Sequence, residues 1–199
     1  MQAALQQAYG RVKQSRFLIA LAVLGCAFLN MLVERINVPL RLPFFFDSVF
    51  TAVAGALFGV IPGILTGLAT NLLMELGYGL PDLYWQWALC NMATGGIVGL
   101  AVGIKRFDSI GDLLVVILAV ALANALLGTI IATLVFGGLT TGNTIDSIVL
   151  GFLATGRSIA SSAFLGRIIS NLIDKAIAVG IAFLVYQYLR TKSDKASTL

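Results

Sequence analysis

Eight polar residues fall inside stretches that are otherwise apolar: Asn30, Asn71, Glu75, Asn91, Asn124, Asn171, Asp174 and Lys175. A polar group in lipid must find a partner or a water-filled cavity, so these positions are the first candidates for a site. Asn171 and Lys175 are four apart and Asp174 lies three beyond Asn171, which places the three along one helix face. A carboxylate, an ammonium and an amide together offer a ligand both donors and acceptors; the same trio equally suits an internal cluster that fixes helix register. Trp87 and Asn91 are also four apart, at the start of an apolar run, where an indole platform and an amide suit a flat heterocycle. The alternative for Tyr84, Trp85 and Trp87 is the aromatic belt of a membrane interface. Arg157 lies in a mildly polar segment, 139–162, long enough to act as a lid. There it either neutralises an anionic group or decorates a loop. Asp47, followed by Ser48, is placed as an N-cap for the next helix, with a ligand contact from a surface loop as the alternative.

The residue inventory argues against catalysis. There is no histidine, which removes Ser-His-Asp chemistry and histidine-based zinc or haem sites. The two cysteines, Cys26 and Cys90, each lie within an apolar run, where an isolated cysteine acts as a small packing residue. No metal site and no cofactor are expected. A P-loop pattern is absent, and the Asp174 and Lys175 pair alone is not a mechanism, so the chain is not read as an enzyme.

The elements that position these residues are membrane helices. Hydrophobic residues form 59% of the 199-residue chain and charged residues 11%, against about one quarter charged in soluble domains. The expectation is an all-α integral membrane protein, a single transmembrane helical domain over 1–199 embedded in the lipid bilayer. Spans are expected at 17–33, 86–104, 113–136 and 163–188, with exit residues Glu34, Arg35, Pro39 and Pro43 after the first. The first apolar run has no small-residue cleavage site and is read as a retained span. The block 47–76 would measure about 45 Å as one helix, too long for a single crossing without strong tilt. Proline disfavours helix before it, so a break at Val60-Ile61-Pro62 is expected, giving two short helices.

Basic residues set the orientation. With six spans and a cytoplasmic start, Arg11, Lys13, Arg16, Lys105, Arg106, Arg190, Lys192 and Lys195 fall inside, against Arg35, Arg41, Arg157 and Arg167 outside. Five spans give a weaker asymmetry, so a compact bundle of six helices with both termini cytoplasmic is favoured, 1–16 and 190–199 forming the cytoplasmic ends. The +4 net charge fits that role, and no nucleic-acid partner is expected.

Glycine recurs every fourth position at Gly55, Gly59, Gly63 and Gly67, and again at Gly95, Gly99 and Gly103. Each glycine weakens a helix by about 1 kcal/mol relative to alanine, and small residues at this spacing let helix backbones approach closely in lipid. Two uses fit, packing inside the bundle or a docking face for another membrane protein.

Three stretches together resemble the substrate-binding S components of energy-coupling factor (ECF) transporters: LPFFFDSVFTAVAGALFGVIPGILTGLATNLL from Leu42, NMATGGIVGLAVGI from Asn91, and NLIDKAIAVGIAFLVYQYL from Asn171. The resemblance implies six helices with cytoplasmic termini in a bacterial or archaeal cell membrane. It implies a ligand pocket near the outer face, assigned here to Trp85, Trp87, Asn91, Asn124, Arg157, Asn171, Asp174 and Lys175. It also implies a small-residue face on the first three helices that docks a transmembrane coupling subunit, with ATP hydrolysed on separate ATPase subunits. Gly55, Gly59, Gly63 and Gly67 are assigned to that face. The family's alanine pair in the first helix is replaced here by Ala22 and Cys26, with Gly25 between them. The chain is thus expected to capture a vitamin-like heterocycle, riboflavin among the candidates. The competing class is a membrane sensor or anchor that docks a signalling partner.

Overall fold

The computed structural model describes residues 16–40, 44–78, 84–140 and 144–197, and every regular element among them is helical. Arg11, Lys13, Arg41, Leu42 and Pro43, used in the sequence reading, lie outside the described residues. The helices are α1 (Arg16–Leu40), α2 (Val49–Phe58), α3 (Val60–Tyr78), α4 (Ala88–Gly103), α5 (Ile110–Phe136), α6 (Thr144–Leu153) and α7 (Ile159–Ser197), with a 3-10 turn, Trp85–Trp87, before α4. Four of them, α1, α3, α5 and α7, are long and apolar enough to cross a membrane. Their outward faces carry large aliphatic side chains such as Leu21, Leu24, Leu118, Leu122, Ile173 and Ile177. An apolar exterior of this kind is stable against lipid and unstable against water.

The first helix runs beyond its expected end at 33 to Leu40, through Glu34 and Arg35. Those charged residues stay helical because each finds a partner on α3: Glu34 accepts from the Tyr78 hydroxyl, and Arg35 donates to the Gly77 carbonyl and lies over the Tyr78 ring. The last helix, expected over 163–188, spans 39 residues, about 58 Å at 1.5 Å per residue. Its projecting end is held by Arg190, paired with Asp108, and by Gln187, which donates to the Phe107 carbonyl.

The block 47–76 does divide into two helices, but the break falls at Gly59 and not at Pro62. Gly59 takes φ +96°, a left-handed value that glycine adopts without strain. Pro62 sits in the first turn of α3, where its missing N–H has no helical acceptor to lose. The fifth helix starts at a capping box: Ser109 Oγ accepts from the Asp112 amide at 3.1 Å and the Asp112 carboxylate accepts from the Ser109 amide at 3.2 Å. It ends on Gly137 at φ +65°.

Glycine determines how α2, α3 and α4 meet. A methyl group at Gly63 would lie 2.5 Å from the Gly95 carbonyl oxygen, one at Gly67 2.5 Å from the Asn91 carbonyl carbon, and one at Gly99 2.7 Å from the Gly59 carbonyl carbon. These pairs, Gly59 with Gly99, Gly63 with Gly95 and Gly67 with Asn91, define an antiparallel register in which one helix advances four residues as the other retreats four. Gly55 of α2 packs on Gly95 and Gly99 as well. Packing inside the bundle is therefore the use that Gly55, Gly63 and Gly67 serve, while Gly59 makes the turn. Gly25 has nothing within 4 Å and faces outward, with Ala22 half-exposed beside it.

The interior has two tiers. At the end holding the α4–α5 connection the core is apolar: Ala52, Val53, Ala56, Val98, Ala101, Phe107, Val116, Val120, Val179, Ala182 and Phe183. At the opposite end many buried side chains are polar, packed beside a smaller apolar cluster of Ile145, Val149 and Ala163, and α7 displays the change along its length. Its buried polar residues, Ser162, Arg167, Ser170, Asn171, Asp174 and Lys175, all precede Ala178, Val179, Ala182 and Phe183, with Ala163 and Gly166 buried among them. The short α6 crosses α7 over the polar tier at Gly166, where a Cβ would sit 2.9 Å from Val149.

Candidate functional site

Asp174 and Lys175 bind the chain segment that leads into α2. The Asp174 carboxylate accepts from the Phe45 and Phe46 amides at 3.2 and 2.8 Å. Phe46 has φ +53°, a conformation that costs a non-glycine residue about 1–2 kcal/mol and that these two bonds help to hold. Lys175 Nζ donates to Asp174 Oδ2 and to Ser48 Oγ, both at 2.6 Å, and lies 4.0 Å from Asp47 Oδ1. The Phe45 ring lies under the same ammonium at 5.9 Å. Lys175 is thus a fully compensated buried cation, and Asp174 a fully compensated carboxylate.

Asp47 does not cap α2. Ser48 occupies the N-cap position without a side-chain bond, and the Asp47 carboxylate turns to Asn91 Nδ2 at 3.3 Å and toward Lys175. The ammonium and amide draw it inward more strongly than free helix amides at a wetter end.

Asn91 is the hub of the neighbouring amide network. Its Nδ2 donates to Asn71 Oδ1 at 2.8 Å and to the Asp47 carbonyl at 3.2 Å, and Asn71 passes the chain on to the Tyr84 carbonyl at 3.0 Å. Glu75 accepts from the Tyr84 and Trp85 amides, fixing the turn before α4. A second knot joins α1, α2 and α3 through Asn30, which donates to Thr51 and Thr70 at 2.9 and 3.0 Å and accepts from the Phe50 amide. Such bonds offset the desolvation of each amide and lock helix register.

The remaining expected residues separate. Asn124 donates to Thr94 of α4 at 3.0 Å and to the Val120 carbonyl of its own helix, so one of its protons serves the α4–α5 contact. Asn171 donates to the Arg167 carbonyl of its own helix. Trp85 is 55% exposed and faces outward, whereas Trp87 is half-buried and stacks on Phe136 at 5.7 Å. Arg157 is exposed, in the turn between α6 and α7. Asp174, Lys175 and Asn91 are brought together; Trp87 and Asn171 flank them; Trp85 and Arg157 lie apart.

The residue that sequence reasoning left in the outer loop count is Arg167. It is 2% exposed, four residues before Asn171 on the same buried stripe. Its guanidinium lies over Trp87 at 5.7 Å and makes one long bond, 3.4 Å, to the Ala163 carbonyl. The signal was available in the spacing, since 167, 171 and 174 follow the helical repeat that linked Asn171 to Asp174. Asn91 Oδ1, Ser162 Oγ and Ser170 Oγ are also buried and find no partner among the described residues. No group of acidic or sulfur side chains among the described residues is placed to hold a metal ion.

Fold and site together define a membrane-embedded, all-helical protein whose polar interior is confined to one end. No family model, curated protein or solved structure matches the chain.

Proposed function

We propose that the chain is the substrate-capture subunit of an ATP-driven importer of a small vitamin-like heterocycle, riboflavin among the candidates, working with a transmembrane coupling subunit and separate ATPase subunits. In this reading the bundle crosses a bacterial or archaeal cell membrane six times, α2 and α4 supplying short crossings beside the four long ones. Both termini are cytoplasmic. Lys105, Arg106, Arg190 and Lys192 gather at the apolar end, and that excess of basic residues supports its placement on the cytoplasmic side. The polar tier then opens toward the outer face.

The observation that carries the reading is the confinement of buried polar side chains to that tier, with Trp87 at its edge and several polar atoms unanswered among the described residues. A protein that needed polarity only for helix register would satisfy each group internally. With Gly55, Gly63 and Gly67 engaged inside the bundle, docking on a coupling subunit falls to the outward face of α1 around Ala22 and Gly25. The same open face is what a sensor or anchor protein would use.

The test is purification in mild detergent followed by native mass spectrometry and a thermal-shift panel of vitamins. The proposal expects a retained or stabilising small heterocycle, and co-purification of a coupling subunit with ATPases from native membranes. Capture of a kinase or similar signalling protein, with no small molecule bound, would establish the sensor reading instead.

A further inference from the structure

Two cations are buried on one stripe of α7, eight residues apart, and they are treated differently. Lys175 has Asp174, Ser48 and Asp47 around it. Arg167 has no carboxylate of a described residue within ion-pair distance; Asp146 of α6 acts on it only from farther away and is itself bound to the Thr140 amide and hydroxyl at 2.9 and 3.0 Å. A buried guanidinium carries a large desolvation penalty. One 3.4 Å bond and an indole face at 5.7 Å offset only part of it. Room has been made for this arrangement: a Cβ on Gly128 would lie 3.3 Å from Arg167 Cδ and 3.6 Å from the Trp87 ring. The Ser170 hydroxyl, which has no partner among the described residues, is one turn along the same stripe.

We infer that the captured molecule carries a carboxylate or phosphate group that binds Arg167, with an aromatic body against Trp87. This rests on the capture reading and narrows its substrate class to anions. The planar fork of arginine matches two oxygens of such a group at once, and Ser170 supplies a further donor. An anion there completes the charge balance that the described residues leave open. Free small molecules and anionic lipid headgroups share this chemistry; the burial of Arg167 inside the bundle favours the former.

The experiment uses the full-length protein in detergent. Native mass spectrometry identifies any retained molecule, and unfolding midpoints are measured with benzoate, phenyl phosphate and benzamide, which share a ring but differ in charge. The expected result is a retained molecule with a carboxylate or phosphate, and stabilisation by benzoate or phenyl phosphate but not by benzamide. Arg167→Gln weakens binding by about thirtyfold or more, and Arg167→Lys by less. A neutral or cationic retained molecule, equal effects of benzoate and benzamide, or unchanged binding in Arg167→Gln overturns the inference and leaves the capture reading standing. If no molecule is retained and no probe or vitamin stabilises the protein, both fall. Nanodiscs of phosphatidylcholine with and without phosphatidylglycerol separate the sources: stabilisation by phosphatidylglycerol alone, lost in Arg167→Gln, makes the group a lipid anchor and overturns the small-molecule assignment. Should Arg167→Gln fail to fold, the comparison of benzoate with benzamide on the unmodified protein decides.

Discussion

Asp174 is the residue on which the polar tier depends most. It joins α7 to a segment nearly 130 positions earlier in the chain, and it neutralises the adjacent Lys175. Removing either partner leaves a buried charge. Asp174→Ala is expected to lower stability by about 3 kcal/mol or more, and Lys175→Met to act in the same direction. Because the two share one network, the double variant should lose less than the two single losses added, and chemical unfolding in detergent measures this coupling. Asn91→Ala should lose about 1–3 kcal/mol, since it leaves Asn71 Oδ1 without its donor. The Asp174 and Lys175 pairing was legible from residue type and spacing. Its partners were not, because the Phe45 and Phe46 amides announce nothing in the sequence until the fold brings them to α7.

At the scale of the elements the determining feature is the antiparallel glycine contact of α3 with α4. Gly63→Ala and Gly95→Ala each place a methyl group against backbone that has no flexible side chain to move aside. Each is expected to destabilise the bundle by about 1–3 kcal/mol or more. Gly25→Ala meets nothing within 4 Å and should be neutral or stabilising by up to about 1 kcal/mol through helix propensity. Unfolding midpoints of the three variants check the contrast, and equal losses at Gly25 and Gly63 would contradict the register described. The four-residue spacing was visible in the sequence, as was the excess length of the block. The site of the break was not, because Pro62 and Gly59 lie three residues apart and both disrupt helices in principle. Only the geometry shows Gly59 at a left-handed turn and Pro62 tolerated in a first turn.

For the whole molecule, lipid on the outside and polarity at one end of the inside impose opposite demands on neighbouring faces of the same helix. On α5, Leu122 is half-exposed near the helix middle while Ala121 and Asn124 are buried. Leu122→Arg should cost about 3 kcal/mol of membrane insertion, against little for Ile110→Arg at the helix end. The membrane-inserted fraction of each variant, read by glycosylation mapping or protease protection, tests this. If both insert alike, the outward face of α5 does not meet the bilayer core.

Hydropathy alone determined that this is a helical membrane protein, because about 20 apolar residues are what a bilayer crossing needs and that property is local. Glycine periodicity likewise determined that helices meet closely, since backbone approach depends on the absence of a side chain. The helical repeat put Asn171, Asp174 and Lys175 at buried positions of one helix, where Asp174 and Lys175 pair and Asn171 bonds to its own backbone. Tertiary structure decided which glycines face each other, which polar groups are already satisfied, and which cation is not. Those outcomes depend on pairs of residues distant in the chain. Arg157 and Arg167 show why: both lie near the start of the last helix, yet one is in water-facing turn structure and the other is sealed beside Trp87. The helical repeat puts Arg167 on the face of Asn171 and Asp174, but that this face is sealed is a property of the neighbours that the fold supplies.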